Sequence, residues 1–341
     1  MRTKVYILGA GASYPDGVPV MSEFIRQGII QLGESAIIKE LRNFVKRKFE
    51  LDILNDQTLR EFEDKRGIEE VLSEAVKEGG KVENLIKKFI FETIEEASIR
   101  PSFSVPGRCG SEHFETVYHQ FVSRRIKEDM KGNNVVLISF NYDQLLQRAL
   151  LHHCLSNKFS YCMPLFEKEN NRINFRGYMS EYEGRIKVLN LHGALNWVFC
   201  RGCRDIKLYW HKKYKNVYDD PCKECGKKCL SPLLIPPVKN KKYGDIIQPL
   251  WVEAKACLEK AAEIIVIGYS FPEIDIEARK MVMDALKNNS SLLALTVVDK
   301  IPDKILGKIK IQDTNNSPNK KEVFKCFKDF INNERGEYAF I

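Results

Sequence analysis

Four short apolar runs constrain this chain more than anything else in it: Lys4–Leu8, Val135–Phe140, Lys187–Leu191 and Glu263–Ile267. Apolar side chains fill both alternating positions of each run. That suits strands buried on two faces, as in a parallel sheet with helices on either side. A fifth run, Leu293–Val298, follows a helix-like stretch over Ile276–Lys287. The first four runs end in the motifs GAGAS, NYD, HGALN and GYSFPEID. Ligands of open α/β sheets sit outside the carboxyl ends of the strands, so four segments are expected to deliver polar groups to one edge. The expected fold is α/β, a Rossmann-like parallel sheet with helices on both faces.

More than a hundred residues separate the first two runs. Within them SAIIKELRNFVKRKF, GIEEVLSEAV and VENLIKKFIFETIEEA carry apolar residues at helical spacing with charge between. Residues 23–130 are therefore read as a helical insertion, broken around Pro101–Gly110, with its charges on solvated faces. The core is then 1–22, 131–199 and 230–341. Toward the end, QDTNNSPNKKE reads as a polar loop and VFKCFKDFI as a closing amphipathic helix. No run of about 18 apolar residues exists, so no membrane-spanning helix is expected. The run before Gly9 is too short for a signal peptide, and a cytoplasmic location is expected. The net charge of +8 is compatible with an anionic ligand, a weak nucleic-acid contact or simple solubility, and selects none of them.

Ten cysteines in a reducing compartment read as thiols or metal ligands, not disulfides. Cys200-x2-Cys203 and Cys222-x2-Cys225 are separated by eighteen residues. Paired thiolates two apart each grip one tetrahedral Zn2+ from a tight turn. Residues 200–229 are read as a zinc module, with His211 and Cys229 as alternative ligands. Four protein ligands leave no open position, so the metal is expected to be structural.

The first strand opens onto Gly9-Ala10-Gly11, where backbone without Cβ can approach a pyrophosphate. The usual dinucleotide fingerprint wants a third glycine where this chain has Tyr14. Taken alone, each motif has a plainer reading. Gly-x-Gly makes a tight turn, His192 is a satisfied structural histidine, Asn141 and Asp143 cap a helix starting at Gln144, and Ser270 with Asp275 begins the next one. Taken together, the GAGAS-x3-Gly17-Val18-Pro19 loop, Asn141-Tyr142-Asp143, His192-Gly193, two Cys-x2-Cys pairs and Gly268-Tyr269-Ser270 occur in an order that resembles the sirtuin family. That family departs from the dehydrogenase fingerprint in its first loop. The resemblance spans Lys4 to Lys300 apart from the insertion. It implies a site that binds NAD and breaks the nicotinamide–ribose bond. On it, Gly9, Ala10 and Gly11 would line the phosphates through backbone N–H groups, with Ser13 adding a hydroxyl. Asn141 would fix the ribose hydroxyls and the attacking water, and Asp143 would orient the nicotinamide side. His192 matches the general base, a role suited to imidazole near neutral pH. Gly268, Ser270 and Asp299 would meet the adenosine end.

Departures from the family's protein deacylases point toward hydrolysis. Phe140 stands where they carry Gln beside the catalytic Asn. The segment that pairs with an acyl-lysine peptide reads PLLIPPVKNKKYGD, whose adjacent prolines remove backbone donors. The insertion is also placed to cover the mouth. NYD and GYSFPEID resemble a divergent bacterial branch whose members often hydrolyse NAD, several in antiviral defence. The leading expectation is an NAD glycohydrolase, and the alternative within the same chemistry is an NAD-dependent protein-lysine deacylase. Readings from other classes are a non-catalytic NAD or ADP-ribose sensor and a nucleic-acid-binding zinc protein, the latter from HKKYKNVY and KNKKYG. A free hydrolase would drain NAD, so a homo-oligomer or a regulatory partner protein is expected to gate it.

Overall fold

The computed structural model describes residues 1–98, 116–153, 155, 158–162, 164–169, 172–178, 186–208, 220–228, 230–235, 244–273, 275–309, 318 and 320–333. The expected break at Pro101–Gly110, most of the polar loop 312–322, the prolines 236–237, and the alternative ligands His211 and Cys229 lie outside the described residues. The strands are β1 (Arg2–Leu8), β2 (Asn133–Ser139), β3 (Phe159–Ser160), β4 (Pro164–Glu169), β5 (Arg172–Tyr178), β6 (Ile186–Asn190), β7 (Gly193–Cys200), β8 (Asp205–Leu208), β9 (Leu230–Leu234), β10 (Glu263–Ile267), β11 (Ala294–Val298) and β12 (Lys320–Phe324). Seven form one sheet in the order β12-β11-β10-β1-β2-β6-β3. Every pairing in it is parallel. β4 and β5 pair with each other, while β8, β7 and β9 form a small antiparallel sheet.

The sheet divides the core in two because successive side chains point to opposite faces. From β1, Tyr6 and Leu8 enter one apolar cluster and Val5 and Ile7 the other. From β10, Ile265 and Ile267 divide from Ile264 and Val266 in the same way. Each such side chain contributes roughly 1.5–3 kcal/mol on burial, which explains runs with no polar alternation. The first cluster is closed by helices that lie between β1 and β2 in the chain, through residues such as Phe24, Leu41, Val71 and Phe89. The second is closed by helices Gly244–Glu259 and Ile276–Asn288, through Leu250, Leu258, Val282 and Leu286.

The stretch between β1 and β2 is helical over Phe24–Leu32, Ala36–Phe49, Asp56–Lys65, Gly67–Glu78 and Gly80–Ser98. Ser35 caps the second of these by accepting the Ile38 N–H, and Asn55 caps the third by accepting that of Thr58. A continuous stretch from Val117 to Asp129 contains one π-helical turn, Val122–Ile126. Among the described residues no helix is long and apolar enough to cross a membrane.

The structure corrects two readings near the chain's end. Lys320–Phe324 is a strand, paired in parallel with β11, so the closing helix shortens to Phe327–Asn332. The polar KKEV stretch reads as loop because β12 is an edge strand, and edge strands favour charged side chains over alternating apolar ones.

Candidate functional site

Backbone bonds carry the parallel ladder one residue past each strand. Phe140 N–H donates to the Leu8 carbonyl (3.0 Å), Leu191 N–H to Ser139 (3.0 Å), Gly9 N–H to Ile267 (3.0 Å) and Gly268 N–H to Val298 (2.9 Å). The motifs therefore leave the sheet at one level. Around them lies a cavity of about 530 Å3, a size usual for small-molecule and cofactor sites. Its wall includes Ala10, Gly11, Asn141, Asp143, His192, Gly268, Ser270 and Asp299, eight of the ten expected non-cysteine site residues. Gly9 and Ser13 are not on it.

Two glycine loops meet here, and their contact explains much of the glycine pattern. Gly268 has φ +59°, and a Cβ there would lie 2.3 Å from the Ala12 nitrogen and 2.4 Å from the Gly11 carbonyl carbon. A Cβ at Gly9 would meet the Gly268 oxygen and the Tyr269 Cα, both at 2.5 Å. The Gly11 N–H donates to the Gly268 carbonyl at 2.9 Å. The N–H groups of Gly9 and Gly11, expected at a phosphate, are thus spent joining the loops. The sequence does not show this competing use, because a close backbone contact and a close ligand contact both ask for glycine.

Ser13 organises the wall from behind. Its Oγ donates to Asp143 Oδ2 at 2.7 Å and accepts from Asn141 Nδ2 at 2.9 Å. It also lies 3.2 Å from the Tyr118 hydroxyl. The second Asn141 Nδ2 hydrogen goes to the Gly9 carbonyl at 2.8 Å, so the amide is held in one orientation with Oδ1 left as acceptor. Asp143 Oδ1 accepts the Leu145 N–H, doing the capping work at the start of helix Leu145–His152. Burial pushes the Asp143 carboxyl above its ordinary value, against the lowering effect of these hydrogen bonds.

His192 stands in an aromatic box. Its ring centroid lies 5.2 Å from that of Phe140, and 6.2 Å from those of Tyr142 and Trp251. Phe140 in turn stacks face to face on Tyr269 at 4.3 Å. The box is reached through β7, which begins at Gly193. A Cβ on Gly193 would lie 1.9 Å from the Leu233 carbonyl oxygen of β9, so only glycine lets β9 pass. His192 Nε2 lies 3.3 Å from Asp275 Oδ2 without the alignment of a hydrogen bond.

Asp275 and Glu69 are the site residues that motif reading missed. Asp275 occupies the N-cap position of helix Ile276–Asn288, yet its side chain makes no capping bond. Instead its Oδ2 accepts the Tyr269 hydroxyl at 2.8 Å and faces His192. A carboxylate just before a helix reads as a cap, which hides this role. Glu69 comes from the insertion, in the first turn of helix Gly67–Glu78, and lines the cavity. Burial, then the nearby Asp275 charge, raises its carboxyl to about 7. Nothing in a helix-patterned charged stretch marks Glu69 out from its neighbours.

The cavity wall also includes Asp299, Lys300 and Lys325. Asp299 Oδ1 accepts the Ile301 N–H at 3.0 Å, and the Lys300 ammonium sits 4.7 Å from the Tyr14 ring centroid. Lys308 donates to the Ser270 carbonyl at 2.7 Å, holding that loop down.

The thiols of Cys200, Cys203, Cys222 and Cys225 lie within 4.8 Å of one another. Cys200–Cys225 and Cys203–Cys222 sulfurs are 3.6 and 3.5 Å apart. Four thiolates at 2.3 Å from Zn2+ in a tetrahedron would be about 3.8 Å apart, so the donor set fits the metal. Both turns share one backbone form. The residue after each second cysteine, Arg204 (φ +56°) or Gly226 (φ +66°), is left-handed, and its N–H returns to the carbonyl of the first cysteine.

No family model matches this chain, and no curated protein matches it. Among solved structures it is similar to Sir2Tm bound to a propionylated peptide, at 15% identity and TM-score 0.42, covering 97% of this chain and 91% of that one. It is also similar to a Sir2 bound to acetylated peptide, at 13% identity, TM-score 0.42 and the same coverage. A third, a Sir2 with an inhibitor, 2'-O-acetyl-ADP-ribose and a deacetylated peptide, is 16% identical with TM-score 0.40, covering 97% and 92%.

Proposed function

We propose that this chain is an NAD glycohydrolase, cleaving the nicotinamide–ribose bond of NAD and passing the ribosyl group to water. The observation that carries the reading is Asn141 and His192 on the wall of one cavity with two glycine-bearing loops. The motif order that resembles the sirtuins supplies the substrate class. Cleavage leaves positive charge on ribose C1′, so the site must hold the sugar, face the cation with electron-rich groups and steer water. Asn141 Oδ1, fixed by the two bonds from Nδ2, is suited to a ribose hydroxyl or the water. His192 would take a proton from a ribose hydroxyl, with Asp275 facing the resulting imidazolium. Asp299 would accept from the adenosine ribose. The four cysteines would hold a structural Zn2+.

Hydrolysis is favoured over protein deacylation by what lines the cavity. Phe140 is stacked into an apolar wall where an amide would serve a deacylase. Glu69 and Ile94, both from the stretch read as an insertion over residues 23–130, stand on the wall and add side chains there. Loss of NAD fits a role in antiviral defence, with gating by self-assembly or a regulatory partner. The test is incubation with NAD alone. Equal amounts of nicotinamide and ADP-ribose, unchanged by an acetyl-lysine peptide, are expected. Release only with the peptide would make the chain a deacylase, and binding without release would make it a sensor.

A further inference from the structure

We propose that Glu69 is a catalytic residue of this site, the carboxylate that takes the proton of the attacking water. The inference rests on the hydrolase reading and names a group that reading did not need. Three observations carry it. First, Glu69 lines the same cavity as Asn141 and His192. Second, the same wall carries Asp275, 3.3 Å from His192 Nε2, and Tyr142, whose ring centroid lies 6.2 Å from that of the imidazole, and the Glu69 charge bears on both. Third, among the described residues its carboxylate has no hydrogen-bond or ion-pair partner, whereas Asp275 is engaged by the Tyr269 hydroxyl. A carboxylate half-buried in a cavity beside a second carboxylate is costly to keep, and no structural bond repays it.

Its placement is firm. Gly67, at φ +65°, opens the helix in a backbone form that favours glycine, and a Cβ there would sit 3.1 Å from the Met21 carbonyl oxygen. The first turn of the helix is therefore seated against the segment that follows the glycine loop. Glu69 thus reaches the cavity from a rigid element.

In the step, the bond between C1′ and the pyridinium nitrogen breaks with both electrons going to the ring, which leaves as neutral nicotinamide. The water oxygen bonds to C1′. The water proton passes to the Glu69 carboxylate and from there to solvent, so one proton is released per NAD consumed. Before that transfer the same negative charge faces the cation forming at C1′.

The pH dependence of such a base is set by its surroundings. Across the cavity these are Asp275, His192, Tyr142 and Tyr269. On the elements packed behind its helix, Glu23 and Glu63 are each paired with Arg26, Glu83 with Lys87 and Glu92 with Lys88, while Glu95 is buried. With the carboxyl raised to about 7, turnover should climb with pH through that region.

Glu69→Gln keeps the shape and removes the base. A fall in kcat on the order of 10^2-fold is expected, as for loss of a general base, with the rising limb of the pH profile abolished. ADP-ribose binding by calorimetry should stay within threefold of wild type, and formate should partly restore Glu69→Ala. A Glu69→Gln protein with wild-type kcat and an unchanged pH limb overturns the assignment and leaves the hydrolase reading standing. Loss of ADP-ribose binding in step with kcat also overturns it, as a structural effect. Wild-type protein that releases no nicotinamide from NAD alone overturns the hydrolase reading itself, and this assignment with it.

Discussion

Ser13 joins the hydrogen bonds of two wall-forming side chains, Asn141 and Asp143, so its loss should propagate. Ser13→Ala leaves buried Asp143 and Asn141 each short of a partner, at about 1–3 kcal/mol per unsatisfied group. Denaturant titration should show that loss, together with weaker turnover as the Asn141 amide loosens. Glu69 predicts the opposite for stability. Its carboxyl is raised to about 7 from an ordinary value of about 4.5. The folded state therefore binds more protons than the unfolded one between those values. Stability contributed by this group falls as pH climbs through the interval, and the penalty is complete above it. Glu69→Gln should accordingly melt higher than wild type at pH 8, with the gap closing toward pH 5. Asn141 and His192 were legible in the sequence because each ends an apolar run. Glu69 and Asp275 were not, since one lies on a patterned helix and the other takes a cap position without capping.

At the scale of elements, the zinc sheet and the glycine loops set the positions of the site. β7 leaves directly from His192, and the Ile235 N–H, just past β9, donates to the His192 carbonyl at 2.9 Å. The Tyr142 hydroxyl donates to the Ile235 carbonyl at 2.9 Å. Stripping Zn2+ with a chelator, or Cys222→Ser, should therefore lower the melting temperature and also reduce NAD turnover, although none of the four clustered cysteines lines the cavity. Circular-dichroism melting beside the turnover assay checks both. Gly268→Ala should cost on the order of 3 kcal/mol, since positive φ and backbone contact both oppose a Cβ. The central strands could be read from sequence because burial on both faces demands apolar residues at every position. The small sheet β8-β7-β9 could not, because its middle strand is a continuation of the HGALN motif. Helix Gly244–Glu259 contains Pro249, and a proline ordinarily argues against a helix interior.

For the molecule as a whole, one parallel sheet separates two apolar clusters and gathers five strand ends at one edge. The insertion closes one cluster and also contributes Glu69 and Ile94 to the cavity wall. The account stands on that cavity being the dinucleotide site, and the direct measurement is calorimetric titration with ADP-ribose, which has no nicotinamide–ribose bond left to break. Wild type is expected to bind one ADP-ribose per chain, and Asp299→Ala to bind it at least tenfold more weakly. No binding by the wild type, or equal binding by both proteins, would contradict the account.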